Sequence, residues 1–396
     1  MSDRADFGGT AATMDQRLPP VIHVSPNVLT HGGIQTLLTL HRPLPVAQRF
    51  VAFFDRGPVI SAGYQYQNLD FTWRTPLWQM RRRFARALAP YPGALVIYHN
   101  GWGLPLFHDL DGASRRMVAL HVDPAYHAAE LPYFSGLIDA AQAINPAVQA
   151  VVDKILPELA GCRSSFYRVP IESPTSPIIR PMGRPLTLGY AGRVVRAHKR
   201  LDRLPAFLQA MRAAGREFRF EVIGDGAYRP ALERELAGQA HFHGWLSRAD
   251  YWRAIARWDA MVFFSDNEGG PIALLEGMAA GALPFYPAQR GSWADVYTPQ
   301  VNPLCHYPPG DMPALAAAIG RIFALPAVEL EALRACARAL VAPHTAEQYQ
   351  AACLEAFRNV WKLPRLSVPR ARWPRPTDLL PLGAATRVAP WALRRA

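Results

Sequence analysis

The sequence predicts an α/β protein built from two doubly wound, Rossmann-like domains that face one another across a central cleft. An alternation of strand-like and helix-like segments runs through residues 20–175, breaks, and starts afresh at 186. The break, "ESPTSPIIRPMGRP", is rich in proline and serine and has no apolar period. In each half the first strand leads into a short glycine loop, "HGG" in one and "AGR" in the other. With 396 residues, 50% of them apolar and 19% charged, the chain can fill two cores. The organisation read from it is a flexible N-terminus over 1–19, a first domain over 20–175 and a linker over 176–185. A second domain then spans 186–344, a final helix 345–362 and a basic tail 363–396.

The elements follow in order. "PPVIHVSPN" reads as a short buried strand, and "IQTLLTLH" as a helix on Ile34, Leu37, Leu38 and Leu40. The strand "RFVAFFD", the helix "PLWQMRRRFARALA", and the strands "GALVIYHN", "RMVALHVD" and "LIDAAQAIN" come next. The helix "PAVQAVVDKILPELA" and "SFYRVPI" close the first domain. The second alternates "LTLGYAG", "KRLDRLPAFLQAMRAAG", "FRFEVIGDG", a helix ending "LERELAG", "AHFHGW", "RADYWRAIARW", "DAMVFFS", "PIALLEGMAAG" and "ALPFYP". Two helices, "MPALAAAIGRIFAL" and "AVELEALRACARALV", precede "TAEQYQAACLEAFRNVWK", where Thr345 and Gln348 have capping-box spacing.

The net charge of +12 is unevenly spread, at +2 over residues 1–175, +4 over 176–362 and +6 over 363–396. The folded bodies are close to neutral, which speaks against a nucleic-acid enzyme with a basic groove. The arginine- and proline-rich tail, with Trp373 and Trp391, suits either an anionic membrane surface or a solvated, disordered segment. Cys162, Cys305, Cys336 and Cys353 form no C-x-x-C pair, so buried thiols in a reducing compartment are expected. No apolar run of about 18 residues is present and the N-terminus has no secretory pattern, so the expected location is the cytoplasm.

The chemistry concentrates in two stretches of the second domain. In "DNEGGPIALLEGMAAG", Gly269 and Gly270 permit close approach to a ligand, and Pro271 suits the first position of a helix. The N–H groups of Ile272 and Ala273 then make an anion site. Glu276 falls among Leu274, Leu275 and Met278, where a carboxylate needs a partner. A ribose diol or a neighbouring arginine or lysine would each serve. In "GYAGRVVRAHKRLD", Gly192 is followed by Arg193, Arg196, Lys199 and Arg200 at the strand's carboxyl edge, where phosphate would lie.

From "LTLGYAGRV" through "EGGPIALLEGMAAGALP" the chain resembles the retaining family 4 glycosyltransferases of GT-B fold, whose E-x7-E pair is here Glu268 and Glu276. The likeness extends over residues 20–362 and includes "GDG" at Gly224 to Gly226. It implies that Arg193 and Lys199 hold the diphosphate, Glu276 the ribose, and Glu268 the transferred sugar beside Gly269 and Gly270. It further implies that Gly32 and Gly33 of "THGGIQ" face the diphosphate, that His121 of "ALHVD" contacts the donor sugar, and that helix 345–362 packs back towards the first domain. The sequence departs from the family in Lys199-Arg200, in "GGIQ" without an acidic residue, and in Pro146 after "AIN".

Other candidates carry bland readings beside functional ones. His241 and His243 in "HFHGW" share a strand face, but no carboxylate or cysteine adjoins them in sequence, so a loop near the nucleobase is favoured over a metal site. His99 either faces the cleft or is structural, and Asp123 either orients the acceptor or caps a segment. On "FTWRTPLWQMRRRFARALAP" the apolar Leu77, Met80, Phe84 and Leu88 form a stripe with the arginines largely off it, which fits a core helix or a membrane-interface helix.

The resulting expectation is a glycosyltransferase using a nucleotide diphosphate sugar, with no metal and no cofactor. Its acceptor would be an envelope or exopolysaccharide-type saccharide, free or lipid-linked, and its location cytoplasmic with peripheral contact to an anionic membrane. The alternatives are a catalytically inactive nucleotide-sugar binding protein at the membrane, and a sucrose-synthase-like GT-B enzyme with a soluble acceptor.

Overall fold

The structure is a computed structural model that describes residues 18–26, 41, 44–54, 65–110, 115–122, 124–171, 184–266, 268–288, 292–364 and 376–384. Gly32, Gly33, Asp123, most of the linker and most of the tail therefore lie outside the described residues.

Seven strands make the first sheet: β1 (Val21–Ser25), β2 (Gln48–Ala52), β3 (Gln65–Asn68), β4 (Leu95–His99), β5 (Arg115–Leu120), β6 (Ala140–Ala143) and β7 (Ser164–Phe166). Their order is β3-β2-β1-β4-β5-β6-β7, with every pair parallel. The second sheet holds β8 (Leu186–Ala191), β9 (Phe218–Ile223), β10 (His241–Gly244), β11 (Ala260–Val262), β12 (Leu283–Pro287) and β13 (His306–Tyr307), ordered β10-β9-β8-β11-β12-β13 and again all parallel. Strands covered on both faces read as unbroken apolar runs, and β1 and β4 are buried along their whole length. The strand order reverses between β1 and β4, and between β8 and β11. At such switch points the crossovers diverge and leave a crevice beyond the carboxyl ends of the strands.

Among the described residues the first domain carries α1 (Leu77–Leu88), α2 (Leu104–Phe107), α3 (Pro124–Glu130) and α4 (Pro146–Ile155). Asn145 caps α4 by accepting from the Val148 N–H, with Pro146 at its first position. The second domain carries α5 (Leu204–Ala213), α6 (Arg229–Leu236), α7 (Arg248–Ile255), α8 (Ile272–Ala279), α9 (Trp293–Val301), α10 (Met312–Ile322) and α11 (Ala327–Val341). Strand β3 and helix α9 have no counterpart in the sequence reading; α9 begins with a complete capping box between Ser292 and Asp295. Gly189 in β8 leaves the space that the fully buried Trp258 ring fills, and a methyl group there would collide with the indole.

The last long helix, α12 (Ala346–Lys362), begins at Thr345, whose hydroxyl accepts from the Gln348 N–H. It lies against the first domain. Tyr349, Cys353 and Phe357 are buried, the Tyr349 hydroxyl is hydrogen-bonded to His41, and Phe357 stacks near the same ring. Beyond it, the carbonyls of Leu363 and Pro364 accept from Arg115 and Arg163.

Two expectations are corrected here. Part of the tail is neither solvated nor free: residues 376–384 return to α1, where the Leu77 N–H donates to Leu380 O and the Leu382 N–H to Thr75 O, with Leu382 fully buried. Arg81 is also not off the apolar face. It is 1% exposed, forks onto both oxygens of Asp109 and lies 3.7 Å from Asp378, so paired charge lets it enter the core. Of the cysteines, Cys305 and Cys353 are buried as expected, Cys336 is partly so, and Cys162 is exposed.

Candidate active site

The switch point of the second sheet brings together the loop after β8 and the loop after β11. The loop after β9 also packs on the start of the first of these, which Gly224 and Gly226 permit: any side-chain carbon on Gly224 would strike the Gly192 carbonyl, and one on Gly226 the Val194 carbonyl. The Gly192 N–H then donates to Ile223 O, and the Val194 N–H to Asp225 O. This fixes the start of the basic loop.

Within that loop His198 and Arg200 adopt left-handed backbone, and the Asp266 N–H donates to His198 O at 2.8 Å. Arg200 and Arg203 both pair with the Asp266 carboxylate, at 2.8 and 2.7 Å. The two loops are thus pinned, and Lys199 is carried to Glu268, with which it forms an ion pair. The Ser265 hydroxyl donates to the same Glu268 oxygen at 2.8 Å. Arg193 donates to His198 Nε2 at 3.0 Å. Burial, and then the charges of Lys199 and Arg193, hold the His198 imidazole below its usual range, which keeps that nitrogen an acceptor.

Eight residues beyond Glu268, Glu276 lies on α8 and is 7% exposed. Its carboxylate accepts from Arg248 at 2.6 Å and from the Tyr251 hydroxyl at 2.5 Å, both on α7. Burial and the neighbouring Glu276 push the Tyr251 phenol well up, so it stays a donor. The arginine partner expected as one alternative is therefore present. Arg248 is itself 46% exposed in its side chain and rests on Trp252. Pro271 is not the first helical residue but the N-cap; the helix starts at Ile272, and no side chain caps it.

The first domain meets this site directly. A side-chain carbon on Gly269 would lie 2.6 Å from the Val122 carbonyl oxygen and 2.9 Å from that of His121. The Asn145 amide donates to Gly269 O at 2.6 Å. Glu268, with Lys199 paired to it and Arg193 beside His198, thus stands where Gly269 meets the His121 and Val122 backbone of the first domain; Gly270 follows in the same turn. Arg248, Tyr251 and Asn145 belong to this site without having been singled out in the sequence, because each acts on a residue distant along the chain; Ser265 lies only three residues before Glu268, and its role appears once the turn between them is formed.

Two other candidates remain. His241 and His243 lie on β10, the edge strand, whose following loop leads into the helix that carries Arg248 and Tyr251. His243 lies 3.1 Å from Glu221, a carboxylate the local sequence does not show, yet the described residues contain no group of three or more His, Cys, Asp or Glu able to hold a metal. His99 is buried and hydrogen-bonded on both ring nitrogens, the structural alternative.

Residues 185–325 match the family described as Glycosyl transferases group 1. No curated protein matches the sequence. Among solved structures, a glycosyltransferase from Rickettsia africae ESF-5 is similar with a TM-score of 0.68 at 13% identity, over 88% of this chain and 100% of that one. The UDP-forming α,α-trehalose-phosphate synthase of Burkholderia vietnamiensis has a TM-score of 0.62 at 16% identity, over 88% and 100%. The pneumococcal O-GlcNAc transferase GtfA, solved with UDP and GlcNAc, has a TM-score of 0.63 at 13% identity, over 87% and 99%. With its two parallel-sheet domains, the chain has the fold of these GT-B glycosyltransferases, and residues 185–325 of its second domain match Glycosyl transferases group 1.

Proposed function

We propose that the chain transfers a sugar from a nucleotide diphosphate sugar to a saccharide acceptor, free or lipid-linked, of an envelope or exopolysaccharide, with retention at the anomeric carbon. The observation that carries the reading is the convergence of Lys199, Arg193 and Glu268 at the switch point with the uncapped start of α8 and the buried Glu276 beside them. Cations and a helix N-terminus suit a diphosphate. Carboxylates suit hydroxyls, and Glu268 and Glu276 stand at the two ends of one short segment.

In this reading the diphosphate draws Lys199 from Glu268, which frees the carboxylate for the hydroxyls of the transferred sugar. Arg193, Lys199 and the N-terminus of α8 then stabilise the leaving charge, and no metal is required. The departing phosphate oxygen accepts the proton of the attacking hydroxyl on the same face of the sugar. Glu276 exchanges Arg248, which is half exposed and readily rehydrated, for the ribose diol. Contact between the domains at Gly269 excludes water from the donor.

The enzyme would work at the cytoplasmic face of a membrane. Among the described residues no single helix is long and apolar enough to cross one. Trp73, Trp78 and Leu379 are exposed on α1 and the segments beside it, as are Arg74, Arg82 and Arg86. Such a mixture suits an anionic bilayer surface.

The test is thermal stabilisation by UDP, GDP and ADP of the wild type and of Glu276→Gln. One diphosphate at a hundredfold excess over its Kd should add about 2.7 kcal/mol of stability. Glu276→Gln should unfold near the wild-type temperature and lose that gain. A variant that still responds to the nucleotide would leave Glu276 a structural partner of Arg248.

A further inference from the structure

Three histidines of the first domain run edge to edge through its switch point: His23 on β1, His99 at the end of β4, and His121 just after β5. His23 Nδ1 lies 3.1 Å from His99 Nε2, and His99 Nδ1 lies 2.7 Å from His121 Nε2. His23 Nε2 is 3.3 Å from Gln48 Oε1, and His121 Nδ1 is 2.8 Å from the Tyr167 hydroxyl. Every ring nitrogen in the row has a partner.

The protons in this row have one arrangement. The Gln48 amide nitrogen donates to the His41 carbonyl at 2.6 Å, and a carbonyl can only accept, so it is the Gln48 oxygen that faces His23. His23 Nε2 must then carry the proton, which leaves its Nδ1 an acceptor. His99 therefore donates from Nε2, and its Nδ1 accepts from His121 Nε2–H. The remaining nitrogen, His121 Nδ1, accepts from the Tyr167 hydroxyl, a phenol that burial keeps protonated. Burial also holds all three imidazoles neutral, His99 at about 4 and the other two well below their usual range. His23 is further clamped by stacking on Phe50, with ring centres 4.7 Å apart.

We propose that Gln48, His23 and His99 are positioning residues for His121: a one-way ladder of neutral imidazoles, polarised by the Gln48 carbonyl, that holds the His121 ring as its Nε2–H tautomer. The ladder ends in an amide, which has no proton to pass on, so it transmits orientation and not protons. His121 consequently has both nitrogens occupied and cannot serve as the base for the acceptor hydroxyl. What the ladder fixes is the backbone at His121 and Val122, the surface on which Gly269 rests, together with the His121 N–H bond to Asn100 Oδ1 at 2.8 Å. The consequence for turnover rests on the transferase reading, whereas the tautomers do not.

The experiment is imidazole nitrogen NMR of the full chain labelled with ¹⁵N-histidine, with resonances assigned by single histidine substitutions. In the wild type His23, His99 and His121 should all be Nε2–H. Gln48→Lys presents only donors and should turn all three to Nδ1–H together. Gln48→Leu removes the acceptor without adding charge and should give a mixture shared by the three rings; it decides the matter if the lysine variant does not fold. Gln48→Leu should also lower kcat about tenfold, because a shift of the His121 and Val122 backbone misplaces the Gly269 contact, with KM for the donor within about twofold. A His121 tautomer that ignores both Gln48 variants overturns the ladder. Wild-type protein that binds no nucleotide but shows the coupled tautomers overturns only the transferase reading.

Discussion

At the scale of single residues, the protein buries several histidines without charge. His41 is held at about 3 and His99 and His344 at about 4, while His23 and His121 lie well below the usual range, all chiefly through burial. His344 illustrates the cause: it is 1% exposed, bonded to the Val169 carbonyl at 2.8 Å and to the Tyr297 hydroxyl at 3.0 Å, two partners suited to a neutral ring. In the unfolded chain these groups take up protons near pH 6.5, whereas in the folded protein they do so only near pH 4 or lower. Folding stability is therefore unaffected above about pH 7 and lost as pH falls from about 6.5 towards 4. Each group contributes about 1.4 kcal/mol per pH unit across that window. Urea unfolding at pH 7, 6 and 5 should show a midpoint that drops at each step. A midpoint unchanged down to pH 5 would mean that these rings reach water and charge freely.

At the scale of elements, α1 shows how a helix can be completed by a distant piece of chain. It has no side-chain N-cap, and the Leu77 N–H, one of its orphan donors, is satisfied instead by Leu380 O. Replacing the fully buried Leu382 by alanine should cost about 2 kcal/mol or more and lower the melting temperature of the chain by several degrees. Trp73, just before the same element, and Trp78, within it, are 58% and 39% exposed. Their joint replacement by alanine should leave the melting temperature unchanged but weaken binding to anionic vesicles about tenfold in a co-sedimentation assay; equal binding would remove α1 from the membrane reading. The apolar stripe of α1 was legible in the sequence because it depends only on helical spacing. Arg81 was not, because its partner Asp109 lies 28 positions away, beyond β4 and α2, the further contact with Asp378 comes from the tail, and the local pattern gives an arginine no reason to be buried. The same division holds in the site. The carboxylates and the basic loop stood out by spacing around one strand edge, while Arg248, Tyr251 and the row of histidines arise where separate crossovers and strands meet. No window of sequence contains them.

At the scale of the whole molecule, the working unit is the crevice, and its closure depends on a few close approaches. Asn145 has two duties there. Its side-chain oxygen caps α4 by accepting from Val148, and its amide nitrogen crosses to the second domain to donate to Gly269 O. Aspartate caps a helix as well as asparagine does and carries no donor. Asn145→Asp should therefore preserve α4 and the stability of the first domain while setting a carboxylate against the Gly269 carbonyl. The expected result is a melting temperature near that of the wild type, a larger radius of gyration in small-angle scattering, and a fall in kcat/KM of about tenfold or more. Such a bond lost to repulsion is worth upwards of about 1.4 kcal/mol, the energy of a tenfold change in rate. Gly269→Ala reaches the same contact by a different route, since its methyl group would press on the Val122 carbonyl at 2.6 Å. If closure is what these residues provide, both variants should bind the free nucleotide almost as well as the wild type, because the proposed nucleotide site lies within the second domain, and both should fail at transfer. A loss of nucleotide binding in Asn145→Asp, a residue of the other domain, would instead show that the donor is held jointly before the domains close.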